Sequence, residues 1–139
     1  MEPAVARNPI RVVAAVMARD GRILIARRRR GDHQESKWEF PGGKIEPGET
    51  PEESLRRELR EEFAIEAEVE ALLGMRAHDY GDRVIELAAY WVRVGAGDFA
   101  LRAHDEIAWA RPEEMSRFDF APADLFIVER LRNQGVRRA

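Results

Sequence analysis

The chain has 139 residues, no cysteine and a formal net charge of −3. This length fits one domain with a hydrophobic core, and the lack of cysteine excludes disulfide bonds and thiol catalysis. The mild acidity and the absence of a long apolar run argue against duplex nucleic acid or a membrane as a partner. The N-terminus lacks the apolar stretch of a secretory signal. We therefore expect a cytoplasmic protein with a single domain over residues 1–139 and frayed ends at 1–8 and 133–139.

The first third of the chain predicts three strands. Residues 10–18 and 22–26 are rich in branched apolar side chains, which favour strands, and Asp20-Gly21 between them is a strong hairpin turn. Residues 38–40 form a short strand that leads into a glycine-rich loop.

A helix is predicted to follow this loop. Thr50 is the N-cap, Pro51 occupies the first helical position and Glu53 completes a capping box, so the helix should run to about Phe63.

The second half of the chain adds strands and one more helix. Three further strands are predicted at Val69–Ala77, Val84–Val94 and Ile107–Ala110. A last helix should begin near Pro122, with three residues spaced along one apolar side, namely Leu125, Val128 and Leu131. Strands covered by two principal helices predict a three-layer α/β sandwich.

A cluster of glutamates marks the first helix. Glu58, Glu61 and Glu62 share one face, where like charges destabilise the helix unless a cation binds them. Carboxylate oxygens favour magnesium or manganese. A solvated Glu/Arg-rich helix is the alternative, but the turn residues at 40–43 and 47–48 permit close backbone approach to a ligand and favour a metal-phosphate site.

The segment from Gly43 to Ile65 resembles the signature of the Nudix hydrolase family. The matching positions are Gly43, Glu49, Arg57, Glu58, Leu59, Glu61, Glu62 and Ile65. Ala64 departs from the pattern, because the family usually has glycine there; this departure questions the backbone conformation after the helix more than the chemistry. The resemblance covers nearly the whole chain and implies an α-β-α sandwich around a mixed β-sheet.

Residues 38–46 and 121–124 are similar to MutT-type nucleoside triphosphate pyrophosphohydrolases within that family. The resemblance implies that Mg²⁺, with Mn²⁺ as a possible substitute, is held by the carboxylates of Glu58, Glu61 and Glu62 and by the carbonyl of Gly43. A metal polarises phosphoryl oxygens and lowers the pKa of bound water, so water is the expected nucleophile.

Four further acidic or basic residues are candidates for supporting this chemistry. Glu49 and Arg57 are predicted to pair and to orient the metal ligands. In MutT-like proteins an acidic residue on the loop before the last strand joins the metal site, and Asp105 and Glu106 lie in the matching region. Either of them, or Glu58, is the general base; a solvated pair of acids is the alternative for Asp105 and Glu106.

Basic residues provide candidate phosphate contacts. The run at residues 27–30 has four arginines, a pattern most often typical of a solvated patch, but arginine binds phosphate bidentately. Arg28 matches the MutT arginine that contacts phosphate, and Lys44 directly follows the glycine loop. His33 and His78 have no ligand partner at a metal-binding spacing, and we expect neither to bind a metal.

Asp124 is the candidate for base recognition. The MutT enzyme that removes 8-oxo-dGTP has asparagine at the matching position. An ionised carboxylate only accepts hydrogen bonds, which suits the amino group of cytosine or the N1 and N2 hydrogens of a guanine-type base. An N-cap or a solvated side chain is the alternative for Asp124. Phe40, by stacking, and Arg83, by hydrogen bonding, are candidate walls of the base pocket.

The resemblance thus implies hydrolysis of an oxidised or modified (d)NTP such as 8-oxo-dGTP to the monophosphate and pyrophosphate, in nucleotide-pool sanitation. A CTP or 5-methyl-dCTP pyrophosphohydrolase is the alternative. An ADP-ribose or dinucleoside polyphosphate hydrolase is another, supported weakly by Tyr80, fifteen residues after Ile65. A binding module is disfavoured because such members commonly lose the glutamates. The oligomeric state, monomer or homodimer, stays open.

Overall fold

A computed structural model describes residues 8–29, 36–95 and 97–136. The strands are β1 (Ile10–Arg19), β2 (Arg22–Arg28), β3 (Trp38–Glu39), β4 (Gly42–Lys44), β5 (Ala67–Asp79), β6 (Val84–Val94) and β7 (His104–Ala110). The helices are α1 (Pro51–Phe63) and α2 (Leu125–Gln134), with 3-10 helices at Pro112–Arg117 and Pro122–Asp124. The predictions for Arg30, His33 and the outermost ends at 1–7 and 137–139 lie outside the described residues.

The predicted hairpin between β1 and β2 is confirmed. Asp20 and Gly21 have φ angles of 53° and 77°, the left-handed conformation that a tight two-residue hairpin turn requires. Arg19 pairs with Arg22 directly beside the turn, so the register follows from the turn itself.

β1 organises the sheet. It pairs in parallel with β6 and antiparallel with both β2 and β4. The main strand order is β3-β2-β1-β6-β5, while β4 pairs with β1 and β7 pairs with β2. The sheet is therefore mixed, as predicted, and the glycine loop that contains β4 lies directly beside the central strand.

The side chains of β1 alternate between two hydrophobic clusters, one on each face of the sheet. Ala14 and Val16 pack with Ile127 and Leu131 of α2. On the opposite face, the residues at 13, 15 and 17 pack with the apolar side of α1, which consists of Leu55, Leu59 and Phe63. This alternation confirms the α-β-α sandwich, because each helix covers a different face of the same strands.

The apolar side of α2 differs from the prediction. Leu125 is 53% exposed, whereas Phe126 and Ile127 are buried together with Val128 and Leu131. The 3-10 turn at Pro122–Asp124 precedes the α-helix and sets its rotation so that its first residue faces outward. The helix also continues through Gln134, past the predicted start of the frayed tail at Asn133.

No helix in the described part of the chain is long and apolar enough to cross a membrane.

Candidate active site

The start of α1 is fixed by a complete capping box. The Thr50 hydroxyl oxygen accepts a hydrogen bond from the Glu53 amide at 3.1 Å, and the Glu53 carboxylate accepts from the Thr50 amide at 2.9 Å. Pro51 fills the first helical position. These local interactions set where the helix begins, and therefore which of its glutamates face the glycine loop.

The glycines of β4 allow the backbone to approach its neighbours very closely. A Cβ atom on Gly42 would lie 1.9 Å from the carbonyl oxygen of Val13, and one on Gly43 would lie 2.2 Å from Oε2 of Glu58. Any side chain at Gly43 would therefore displace the Glu58 carboxylate. Glycine is needed here for space, because it brings the loop backbone and a helix carboxylate together.

Glu49 and Arg57 form the predicted pair. Arg57 Nε donates to Oε2 of Glu49 at 2.6 Å, and Nη2 donates to Oε1 at 3.0 Å, a bidentate ion pair. Nη2 also donates to the Lys44 carbonyl at 3.1 Å. The hydrogen bond from Arg57 lowers the pKa of Glu49 to about 2. The pair ties the loop to the helix, so it holds the glutamates of α1 in place.

A cavity of about 640 Å³ opens beside this loop. One part, which we call the helix region, is lined by Gly43, Glu58 and Glu62, and another, the base region, is lined by Tyr80, Arg83 and Asp124. Arg28, Glu39, Phe40 and Lys44 line the same cavity. Apart from Glu61, the residues predicted to contact the metal, the phosphates and the base thus line one continuous space.

Burial and neighbouring negative charges disfavour ionisation of the carboxyl groups in the helix region. Burial, followed by the charges of Glu39 and Glu58, raises the pKa of Glu62 to about 9. Burial also raises the pKa of Glu58 to about 6. Oε1 of Glu62 is buried and has no hydrogen-bond partner among the described residues. Buried carboxylates that repel one another are stabilised by a bound cation.

The base region is built around a buried Asp124. Its Oδ2 accepts a hydrogen bond from the Phe40 amide at 2.9 Å, and the residue is 8% exposed. Asp124 precedes α2, yet its side chain makes no capping hydrogen bond. Asp124 therefore occupies the N-cap position without capping the helix through its side chain. The alternative of a solvated side chain is wrong, because the buried carboxyl bonds to the loop before β4.

Tyr80 and Arg83 complete this region from the turn between β5 and β6. The Tyr80 hydroxyl oxygen accepts a hydrogen bond from the Ala123 amide at 3.0 Å, which anchors the segment that carries Asp124. The guanidinium carbon of Arg83 lies 4.6 Å from the centre of the Tyr80 ring. The Phe40 ring stacks on Phe120, with centroids 5.3 Å apart. The sequence predicted that the Phe40 ring would stack on a base. Phe40 is only 2% exposed, so its ring instead packs in the core.

The NUDIX domain family matches residues 7–131. The chain belongs to the Nudix hydrolase family. It is 41% identical over 120 residues to a CTP pyrophosphohydrolase of Escherichia coli, and the aligned part covers 86% of this chain and 89% of that protein. It is 32% identical over 126 residues to an 8-oxo-dGTP diphosphatase of Haemophilus influenzae, covering 90% and 93% of the two chains. The solution structure of the Escherichia coli ORF135 protein superposes with a TM-score of 0.80 at 37% identity, covering 95% and 94%.

Nudix hydrolases generally use divalent metal ions, and the helix region fits one. The buried Oε1 of Glu62 lacks a hydrogen-bond partner among the described residues. Because Gly43 has no side chain, its backbone lies close to the Glu58 carboxylate. Glu61 stands apart, because its carboxylate accepts from Arg57 Nη1 at 3.1 Å and its side chain is 59% exposed. In the described ranges, no three acidic or histidine side chains already form a metal-binding group.

Asp105 and Glu106 do not lie where the sequence placed them. β7 begins at His104, which pairs with Arg28, so both acids belong to the strand and not to a loop before it. Both are exposed, neither lines the cavity, and Glu106 lies 3.4 Å from Arg27 in an ion pair. The structure thus separates these two candidate bases from the glutamates of α1, whereas Glu58 lines the cavity.

Two residues were missed from the sequence: one lines this Nudix hydrolase's cavity, and the other contacts it from behind. Glu39 lines the cavity, and its Oε1 accepts from Arg28 Nη1 at 3.0 Å. Its Oε2 lies 2.8 Å from Nε2 of His104, which is buried at the start of β7. The position of Glu39 beside Phe40 in the glycine-loop segment was a usable signal for the acid. Nothing local signalled His104, 65 residues farther along the chain.

Proposed function

We propose that this Nudix hydrolase cleaves a nucleoside triphosphate between its α and β phosphorus atoms and releases a nucleoside monophosphate and pyrophosphate. The observation that carries the proposal is that Glu58, Glu62 and Asp124 line the same continuous cavity. A carboxylate group suited to a metal-bound polyphosphate and a buried polar group suited to a base edge are thus available to one ligand.

The metal of the proposal is Mg²⁺, with Mn²⁺ as a substitute. Glu58 and Glu62, which line the cavity, would hold it with their carboxylates, together with the carbonyl of Gly43. Glu61 would join them by exchanging its bond with Arg57 for one with the cation. When bound, the cation supplies positive charge that stabilises the phosphoryl oxygens as the anhydride bond breaks. Arg57 holds Glu49 and, through its second nitrogen, the loop carbonyl of Lys44.

The remaining chemistry falls to water and to basic side chains. We expect a water molecule to be the nucleophile, because a bound metal would lower its pKa and, among the described residues, no serine, threonine or cysteine lines the cavity. Arg28 and Lys44 line the cavity and neutralise the phosphates. Glu58 is the best-placed general base of the three candidates, since it lines the cavity and Asp105 and Glu106 do not.

For the base, we propose an oxidised or modified (d)NTP such as 8-oxo-dGTP, which gives the protein a role in nucleotide-pool sanitation in the cytoplasm. Burial, followed by the charge of Glu39, raises the pKa of Asp124 well above its usual value. A protonated carboxyl donates as well as accepts hydrogen bonds, as the asparagine of the 8-oxo-dGTP enzyme does.

A second candidate is CTP or 5-methyl-dCTP. The observation that favours it is the 41% identity to a relative named CTP pyrophosphohydrolase, which exceeds the 32% identity to the 8-oxo-dGTP diphosphatase. A carboxyl group at Asp124 can also pair with the N3 and N4 edge of cytosine.

A product assay tests both candidates. CTP, dCTP, 5-methyl-dCTP, 8-oxo-dGTP, dGTP, ADP-ribose and diadenosine tetraphosphate are each incubated with the enzyme in Mg²⁺ and in EDTA. We expect a monophosphate and pyrophosphate from one triphosphate class, and no turnover in EDTA. Orthophosphate with a diphosphate as the initial products, or full activity in chelator, contradicts the proposed reaction. Preference for ADP-ribose or the dinucleotide contradicts the proposed substrate class.

A further inference from the structure

Three neighbouring strands bring Arg28, Glu39 and His104 together beside the cavity. β3 and β7 both pair with β2, where Ala26 is opposite Glu39 and Arg28 is opposite His104. A register shift between Arg27 and Arg28 interrupts the β2–β7 ladder at this point. Such bulges commonly redirect side chains next to functional sites.

Both oxygens of Glu39 are engaged by this arrangement. Oε1 accepts from Arg28 Nη1 at 3.0 Å, and Oε2 lies 2.8 Å from His104 Nε2. A carboxylate only accepts, so Nε2 of His104 carries the hydrogen of this bond. The Glu39 side chain is 13% exposed and cannot rely on water to hold its orientation. The imidazole therefore fixes the carboxylate, and the carboxylate fixes the guanidinium.

His104 is itself held rigidly. Its side chain is 2% exposed, and its ring stacks on Phe63 with an interplanar angle of 7° and centroids 5.3 Å apart. Phe63 is the last residue of α1, the helix that carries Glu58 and Glu62. The His104 ring thus contacts both Glu39 and the last residue of α1, and so links the carboxylate to the glutamate helix.

We propose that His104 is a positioning residue for nucleotide binding: through Glu39 it holds the Arg28 guanidinium at the place where the cavity receives the substrate's phosphates. An arginine can donate to a carboxylate with one nitrogen and to a phosphate oxygen with another. The hydrogen bond from Arg28 to Glu39 therefore sets the orientation of the planar guanidinium. Because Arg28 contributes mainly to binding, the loss of His104 Nε2–H weakens nucleotide binding more than it slows the chemical step.

A matched pair of substitutions separates the donor from the ring. His104→Gln keeps an N–H donor at the position of Nε2, whereas His104→Phe keeps the stacked ring and removes the donor. We expect His104→Phe to raise KM by about tenfold while kcat stays within about twofold, and His104→Gln to stay close to the parent. The double variant of His104→Phe with Arg28→Ala should bind no more weakly than Arg28→Ala alone.

The inference rests on the proposed function, so dissociation constants are measured as well. The ligand is the preferred triphosphate with a methylene bridge between its α and β phosphorus atoms, which cannot be cleaved there. A parent enzyme that binds this ligand but releases no pyrophosphate from the triphosphate contradicts the proposed function and leaves the binding comparison intact. Parent-like affinity in folded His104→Phe, equal losses in the two His104 variants, or additive effects with Arg28→Ala overturn the role of His104.

The unsubstituted enzyme decides the matter where His104→Phe does not fold at the assay temperature. In a ¹H–¹⁵N spectrum, Nε2 of His104 should carry a proton, and its resonance should shift on binding of the methylene analogue in the parent but much less in Arg28→Ala. A His104 Nε2 without a proton, or a resonance that ignores the analogue in the parent, overturns the inference.

Discussion

The helix region and the base region each contain a buried carboxyl group with a raised pKa, but the chain assembles them differently. Glu62 belongs to a segment that runs from the glycine loop to the end of α1, and the capping box and the close approach of Gly43 to Glu58 lie within the same stretch. Asp124 depends on Phe40, 84 residues away, and its segment is anchored by Tyr80, 43 residues from Ala123. The residues proposed for the reaction are thus positioned by local spacing, whereas those proposed for substrate preference depend on packing between distant segments.

The largest effect that separates the regions is expected at Glu62. Glu62→Gln should lower kcat by about 100-fold or more for every nucleotide, because a neutral amide replaces the buried carboxyl group that we propose as a metal ligand. Steady-state kinetics across a Mg²⁺ titration measure the loss, and circular dichroism checks folding. Glu66→Gln is the matched control, since Glu66 is exposed and pairs with Arg60. Parent-like turnover in Glu62→Gln with unchanged metal dependence would place the metal elsewhere.

A smaller, base-dependent effect is expected at Asp124. Asp124→Ala should lower kcat/KM for the preferred triphosphate by about tenfold or more, because it removes a buried hydrogen-bonding group and leaves the Phe40 amide unpaired. Asp124→Asn keeps an acceptor for that amide and should lose less. Kinetics on CTP, 5-methyl-dCTP and 8-oxo-dGTP provide the comparison, with Asp119→Ala as an exposed control. Identical specificity profiles for the parent and both variants remove Asp124 from the recognition site.

The raised pKa of Asp124 also predicts how stability changes with pH. In the unfolded chain an aspartate has a pKa of about 3.9, so above that pH the unfolded state releases a proton that folded Asp124 retains. This contribution is full below pH 3.9 and is lost as pH rises through the folded pKa, at up to about 1.4 kcal/mol per pH unit. Asp124→Asn has no such proton to lose.

The Tm of Asp124→Asn minus that of the parent should therefore increase as the pH rises above about 4. Thermal unfolding at several pH values without nucleotide measures this difference. A difference that is constant with pH shows that Asp124 ionises as readily in the folded protein as in the unfolded chain, and one that falls shows that it ionises more readily; either contradicts the raised pKa.

The smallest effect is expected at Ala64, just after the glutamate helix. Ala64 has φ 58° and ψ 38°, the left-handed conformation that glycine adopts without steric cost. Ala64→Gly should stabilise the protein by about 1 kcal/mol and leave kcat unchanged. Urea unfolding measures the gain, and Ala67→Gly in β5 is the opposite control, because glycine weakens a strand. A loss of stability in Ala64→Gly contradicts a strained helix end.

The difference between the regions also explains what the sequence could predict. The capping box, the Glu49–Arg57 pair and the helix bounds follow from residues within a few turns of one another, and all are confirmed. The Ala64 position was correctly questioned for its backbone.

Contacts between segments that are distant in the sequence could not be predicted from local residue patterns. The start of β7 at His104 depends on its pairing with β2, so Asp105 and Glu106 were misplaced. The exposure of Leu125 depends on a preceding 3-10 turn. The Glu39–His104 contact joins two strands that share only their neighbour β2.

The most direct test of the two-region account is one kinetic comparison of the parent, Glu62→Gln and Asp124→Ala on the three triphosphates CTP, 5-methyl-dCTP and 8-oxo-dGTP. The account predicts that Glu62→Gln lowers kcat by a similar factor for all three and preserves their order, whereas Asp124→Ala changes the order of kcat/KM. An altered order in Glu62→Gln, or a uniform loss in Asp124→Ala, would contradict the division between a helix region that performs the reaction and a base region that selects the nucleotide.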